Sequence, residues 1–71
     1  MARLPVLSGK ELVRILKKAG FEEVRQKGSH VSLRKGTYKT VVPLHDELAI
    51  GTTMAILRQS GLDREDIEKL R

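Results

Sequence analysis

The sequence predicts a small α+β domain in which one helix, three antiparallel strands and a second helix follow in the order α-β-β-β-α. The prediction depends on helical spacing of apolar residues near the N-terminus, on period-two alternation between Phe21 and Pro43, and on helical spacing again after Gly51. The 71 residues leave room for one domain, residues 1–71, close to the lower size limit for folding without disulfides or metals.

The first helix is predicted over residues 9–19. Ser8 and Glu11 have the spacing of a capping box, in which each side chain bonds the backbone amide of the other residue. Gly20 supplies the left-handed stop. The polar side of this helix is basic and is most simply a solvated surface, although it can also follow a phosphate backbone; its cations are Lys10, Arg14, Lys17 and Lys18.

Three short strands are predicted next, and glycine-containing turns separate them. Gly28-Ser29 and Lys35-Gly36 are the turns, and they join a run around Val24 to the alternating HVSLR and then to the β-rich YKTVV. The alternation directs the valine and leucine of HVSLR towards the helices. It directs the histidine, serine and arginine towards solvent or a ligand.

The segment PLHDELAIG, residues 43–51, is predicted to be a loop, and Thr52 or Thr53 is predicted to begin the second helix. Its apolar side is formed by Met54, Ile56 and Leu57, and Gly61 ends it. Asp63 and Asp66 have the spacing of another N-terminal cap, so residues 64–70 are predicted to form a short C-terminal helix. Helices packed on one face of the sheet leave the other face open as a binding platform.

Composition narrows the possible functions. The net charge of +5 and the pI near 10.0 favour a polyanionic partner such as nucleic acid. The absence of cysteine excludes disulfides and thiolate metal sites and fits a reducing cytoplasm. No apolar run is long enough for a membrane span or a signal peptide. Two histidines and few carboxylates make no convincing metal site, so neither a metal nor another cofactor is expected.

His30 is the candidate catalytic residue. Residues 25–40, RQKGSHVSLRKGTYKT, contain five Lys or Arg residues and no Asp or Glu. A histidine gives and takes protons near neutral pH, and one that lies among cations after a Gly-Ser turn is well placed to act on a phosphodiester. The candidate residues for binding the phosphates are Arg25, Lys27, Gly28, Ser29, Ser32 and Arg34.

Two weaker candidates accompany this site. His45 lies in a loop beside Asp46, where a structural or solvated role is favoured over a second proton-transfer role. Gly51-Thr52-Thr53 lies at a predicted helix start, where free amides and the helix dipole suit an anion, although most such starts bind nothing.

The residues also carry a family resemblance. The stretches LSGKELVRILKKAGFEEVRQKGSHV, VVPLH and GTTMAILRQSGL resemble the HicA toxins, small mRNA-cleaving proteins of toxin–antitoxin pairs, along nearly the whole chain. The resemblance implies a fold similar to double-stranded-RNA-binding domains, His30 as the catalytic histidine, cleavage without a metal, and a HicB antitoxin that covers the active site. The acidic Asp46-Glu47 departs from the family pattern and puts in doubt any role of this loop in holding RNA.

The leading hypothesis is therefore a ribosome-independent endoribonuclease toxin whose target is mRNA. A non-catalytic module that binds double-stranded RNA through its shape and charge is the main alternative. A small interaction domain that recognises an acidic protein is the third. His30 discriminates between the first two, because a pure RNA-binding module tolerates its loss.

Overall fold

The computed structural model describes residues 3–71, which form six secondary-structure elements. They are α1 (Gly9–Lys18), β1 (Glu22–Lys27), β2 (His30–Lys35), β3 (Tyr38–Pro43), α2 (Ile50–Ser60) and α3 (Arg64–Leu70). The three strands form one antiparallel sheet in the order β1-β2-β3. The predicted α-β-β-β-α order with an additional short C-terminal helix is confirmed, and it is the fold of double-stranded-RNA-binding domains.

The capping box of α1 forms as the sequence predicts. The Glu11 amide donates to the Ser8 hydroxyl over 3.1 Å, and the Ser8 amide donates to the Glu11 carboxylate over 3.0 Å. The hydrogen bond from the Ser8 amide to the carboxylate lowers the pKa of Glu11, and the nearby Ser8 side chain lowers it further. The helix ends at Lys18, one residue earlier than predicted, and Gly20 continues the chain with a φ of 102°.

Both hairpin turns begin with a glycine that has a positive φ. Gly28 and Gly36 each have a φ of 59°, and no other kind of residue in the described range has a positive φ. A positive φ at the first of two turn residues is the pattern of a type II′ turn, whose twist matches that of the flanking strands. The first turn is Gly28-Ser29 as predicted, whereas the second is Gly36-Thr37 and not Lys35-Gly36, because Lys35 is the last residue of β2 and pairs with Tyr38.

The core lies between the sheet and the helices. Val31, Leu33 and Val42 are buried on the helix-facing side of the sheet, where they join a cluster with apolar residues of α1 and α2. The helices leave β1 uncovered, and all six of its residues are exposed. The register between β1 and β2 shifts at Val24, which makes a β-bulge in that edge strand.

α2 begins earlier than the sequence predicts. Its first residue is Ile50, and Ala49 precedes it without a side-chain cap, so the prediction of Thr52 or Thr53 as the start is wrong. Thr53 is instead fully buried within the helix, and its amide donates to the Ala49 carbonyl over 3.0 Å. Ile56 and Leu57 are buried as predicted, whereas Met54 is 38% exposed and lies outside the core.

The start of α1 packs tightly on the end of β3. The Gly9 amide donates to the His45 carbonyl over 2.9 Å, and the Gly9 Cα lies so close to the backbone of Pro43 and Leu44 that a side chain would overlap them. This contact holds the segment after β3 in place beside the sheet. In residues 3–71 every helix is too short to cross a lipid bilayer.

Candidate active site on the open sheet face

We call the side of the sheet that faces away from the helices the open face. Residues paired across neighbouring strands share a face, so the register extends this surface from β2 to both edge strands. Its residues are Glu22, Arg25 and Lys27 on β1, His30, Ser32 and Arg34 on β2, and Lys39, Val41 and Pro43 on β3. The alternation predicted for HVSLR is confirmed, because its valine and leucine are buried on the other side.

His30 is the first residue of β2 and is exposed. Lys27 lies opposite on β1 and Pro43 lies opposite on β3, so His30 has a cation on one side and a short apolar ring on the other. The Leu44 amide donates to the Ser29 carbonyl over 2.7 Å, which makes His30 and Pro43 a pair without mutual hydrogen bonds. Side chains approach most closely in such pairs, and Pro43 fits there because no amide hydrogen is required.

The turn beside His30 offers backbone donors to an anion. Gly28 and Ser29 are both exposed, and in residues 3–71 the turn is closed without a hydrogen bond from either of their amides. The Gln26 side chain donates to the Gly28 carbonyl over 3.2 Å and holds the turn from the other side. Lys27 is the cross-strand neighbour of His30, and the two amides directly precede His30 in the chain, so these donors lie next to the histidine.

Arg34 is not part of this cluster. It lies four residues along β2 from His30, which is about 13 Å of extended strand. Its cross-strand neighbours are Lys39 on β3 and Glu22 on β1. Arg34 and His30 therefore lie at opposite ends of β2 on the open face.

Arg25 and Ser32 face each other in the middle of the open face, between these two ends. Beside them are two valines that sequence reasoning did not single out. Val24 is 50% exposed and Val41 is 48% exposed, and both line a concavity of about 660 Å³ together with Ser32, Arg34 and Lys39. The alternation in YKTVVP indicates that Val41 faces away from the core. The bulge at Val24 interrupts the alternation of β1, so the pattern does not indicate where Val24 lies.

Lys35 has a structural role. Its ammonium group donates to the Ala19 carbonyl over 2.6 Å, at the C-terminal end of α1, where a cation also interacts favourably with the helix dipole. Lys35 therefore does not belong to the open face, although it belongs to the basic stretch of the sequence. Among residues 3–71, groups of three or more histidine or carboxylate side chains that could hold a metal ion are absent.

Fold and site together define a small basic α+β domain that presents an exposed histidine on an uncovered sheet face. The family model that describes the HicA toxin of bacterial toxin–antitoxin pairs matches residues 9–62, which is more than half of the chain and includes all three strands. The chain belongs to the HicA toxin family, and its role is that of the toxin in a toxin–antitoxin pair. No curated protein sequence matches it.

Proposed function

We propose that this toxin is an endoribonuclease that cleaves mRNA and that His30 is its catalytic residue. The observation that carries the proposal is the placement of an exposed histidine beside Lys27 and two exposed turn amides on a face that the helices leave uncovered. Membership of the HicA toxin family supports it, because the sequence resembles toxins that cleave messenger RNA. The site of action is the cytoplasm, where mRNA is found.

The chemistry needs a proton-transfer group and positive charge at the reacting phosphate. The ribose 2′-oxygen attacks the adjacent phosphorus, and the 5′-oxygen leaves with a proton. His30 takes the 2′ proton or delivers the 5′ proton. Lys27 and the amides of Gly28 and Ser29 stabilise the additional negative charge of the phosphorane, and preorganised donors of this kind typically make the larger contribution to catalysis.

The rest of the open face binds the RNA on either side of the cleaved bond. Arg25 and Ser32 in the middle of the face, and Arg34 at its far end, contact the neighbouring phosphates and riboses. Lys39 adds a further cation opposite Arg34. This mode of binding reads charge and shape, because the described open face contains no phenylalanine, tyrosine or tryptophan on which a base could stack.

The antitoxin of the pair is proposed to be a HicB-type protein that binds over the same face. Four cations on the open face, which are Arg25, Lys27, Arg34 and Lys39, attract an acidic protein to the surface that RNA uses. The antitoxin and the RNA then compete, and neutralisation follows from occlusion of His30.

His30→Ala tests the proposal. The folded variant should lose RNA cleavage and growth inhibition, because the removed ring is exposed and leaves no cavity in the core. Circular dichroism checks folding, and cleavage of a mixed-sequence transcript in EDTA measures activity. A folded His30→Ala variant that cuts as fast as the parent contradicts the assignment, and activity that EDTA abolishes and magnesium restores contradicts cleavage without a metal.

Two lysine variants provide a matched control for charge. Lys27→Ala and Lys35→Ala each remove one exposed cation, but only Lys27 lies on the open face. Cleavage should fall strongly in the first variant and stay near the parent rate in the second.

A parent protein that binds double-stranded RNA and leaves it intact would instead favour the non-catalytic binding module.

A further inference from the structure

The second histidine of the chain lies closer to the candidate active site than its place in the sequence suggests. His45 follows β3 by two residues, and two hydrogen bonds fix the backbone around it. The Leu44 amide donates to the Ser29 carbonyl over 2.7 Å, and the His45 carbonyl accepts from the Gly9 amide over 2.9 Å. The first bond continues the pairing of β2 with the chain beyond Pro43, so His45 is held beside the Gly28-Ser29 turn.

The register gives the separation of the two histidines. His30 lies opposite Pro43, and His45 is two residues further along, which makes it the diagonal neighbour of His30. Diagonal neighbours in an antiparallel pair lie about 7–8 Å apart, within reach of aromatic side chains. A phosphate group fits between two rings that start from such positions.

The exposure of the segment after β3 fits a placement of both histidines on the open face. Pro43 lies opposite His30 on that face, and Leu44 after it is partly buried against the core. His45 is exposed, as His30 is. The close packing of Gly9 on Pro43 and Leu44 limits how far this segment can move.

We propose that His45 is the second proton-transfer group of the cleavage reaction, an inference that builds on the proposed ribonuclease function. One imidazole takes the proton of the 2′-hydroxyl as the 2′-oxygen forms its bond to phosphorus. The other imidazole delivers a proton to the 5′-oxygen as the bond between phosphorus and that oxygen breaks. The products are a 2′,3′-cyclic phosphate and a free 5′-hydroxyl, so every atom and proton is accounted for without a further reactant.

The test uses the two variants His30→Ala and His45→Ala with two forms of one short RNA. One form has the natural 5′-oxygen at the cleavage site, and the other has sulfur there, which leaves as a thiolate and needs no proton. On the natural RNA, His45→Ala should be slower than the parent by about 10²-fold or more, the range that a positioned proton donor or acceptor contributes. Glu47→Gln, in the same loop, should stay near the parent rate.

On the sulfur-containing RNA, one of the two histidine variants should recover a rate near that of the parent, and that variant lacks the proton donor. Circular dichroism and RNA affinity separate chemistry from folding and binding. Natural RNA cut by His45→Ala within threefold of the parent rate overturns the inference, and so does a slow His45→Ala variant when sulfur rescues neither histidine variant. A parent that cuts no RNA overturns the proposed function itself, which is a different result.

Discussion

Replacing Gly9 with alanine should destabilise the protein, although alanine is the better helix former. Gly9 is the first residue of α1 and is buried. An alanine Cβ at this position would overlap the Pro43 carbonyl oxygen and would lie 2.7 Å from the Leu44 Cα. Both obstructing atoms belong to the backbone, so no side chain can rotate away to make room.

The expected loss follows from three contributions. Overpacking of a close contact typically costs about 1–3 kcal/mol, and a backbone obstruction belongs at the upper end of that range. The shift also weakens the bond from the Gly9 amide to the His45 carbonyl, worth about 1 kcal/mol. The higher helix propensity of alanine offsets at most about 1 kcal/mol of this loss of stability. The net loss is about 3 kcal/mol, which lowers Tm by more than about 10 °C in a domain of this size.

Gly51→Ala is the matched control. Gly51 is the second residue of α2, and an alanine Cβ there meets no atom within 4 Å. Its φ is negative, unlike that of the turn glycines, so alanine adopts the native backbone without strain. The same substitution should therefore leave stability unchanged or raise it by up to about 1 kcal/mol.

Thermal and urea denaturation followed by circular dichroism measures both variants. The critical result is that the two substitutions should change stability in opposite directions. That difference separates the effect of the backbone contact at Gly9 from the general effect of replacing a glycine in a helix. A Gly9→Ala variant within about 0.5 kcal/mol of the parent, a value typical of an uncrowded surface site, would show that α1 does not pack tightly on the end of β3.

Three further predictions concern pH, RNA and the antitoxin. The lowered pKa of Glu11 means that its ionised carboxylate stabilises the fold above its unfolded pKa of about 4.3, and that this contribution disappears as pH falls through the lower folded value. Urea titrations from pH 7 to 2 should therefore show the advantage of the parent over Glu11→Ala shrinking in acid, and an advantage that is independent of pH would contradict this. RNA affinity should fall by orders of magnitude between about 50 and 200 mM salt and vary little among unrelated RNAs, whereas a flat salt response with strong sequence preference would refute phosphate binding. Antitoxin should slow amide exchange across residues 22–43 and block cleavage, and a tight complex that changes neither would place the interface elsewhere.

Much of the fold could be predicted from the sequence because its signals are local. The Ser8 and Glu11 side chains close a capping box, and Asp63 and Asp66 close another with bonds of 3.0 and 3.1 Å. Each signal spans four residues and needs nothing from the rest of the chain. The start of α2 lacks such a signal, since Ala49 makes no side-chain cap. The chain just before α2 is held by a long-range contact that no local pattern indicates, the bond from the Leu48 amide to the Leu7 carbonyl over 2.7 Å.

The sequence indicated which side chains of the site lie on the open face, but it did not indicate which of them are neighbours. Alternation indicated which side chains of β2 leave the core, because a strand has a period of two. It could not indicate that Glu22 and Lys39 lie on either side of Arg34, since that depends on the register of three strands. Nor could it indicate that Lys35 binds the Ala19 carbonyl, 16 residues earlier in the chain.

The open face contains features that folding alone does not favour. Arg34 and Lys39 are like charges in a directly opposed, closely spaced pair, an arrangement that destabilises a sheet and that Glu22, opposite Arg34 on β1, offsets only in part. Val24 and Val41 leave about half of their surface in water beside this pair. The core on the other side of the sheet gains nothing from either feature. A polyanion on this face relieves the repulsion, so its binding free energy adds to the stability of the fold by mass action. Residues that bind a ligand often destabilise the fold locally. Here the like-charged pair and the exposed valines lie on the face that also presents His30.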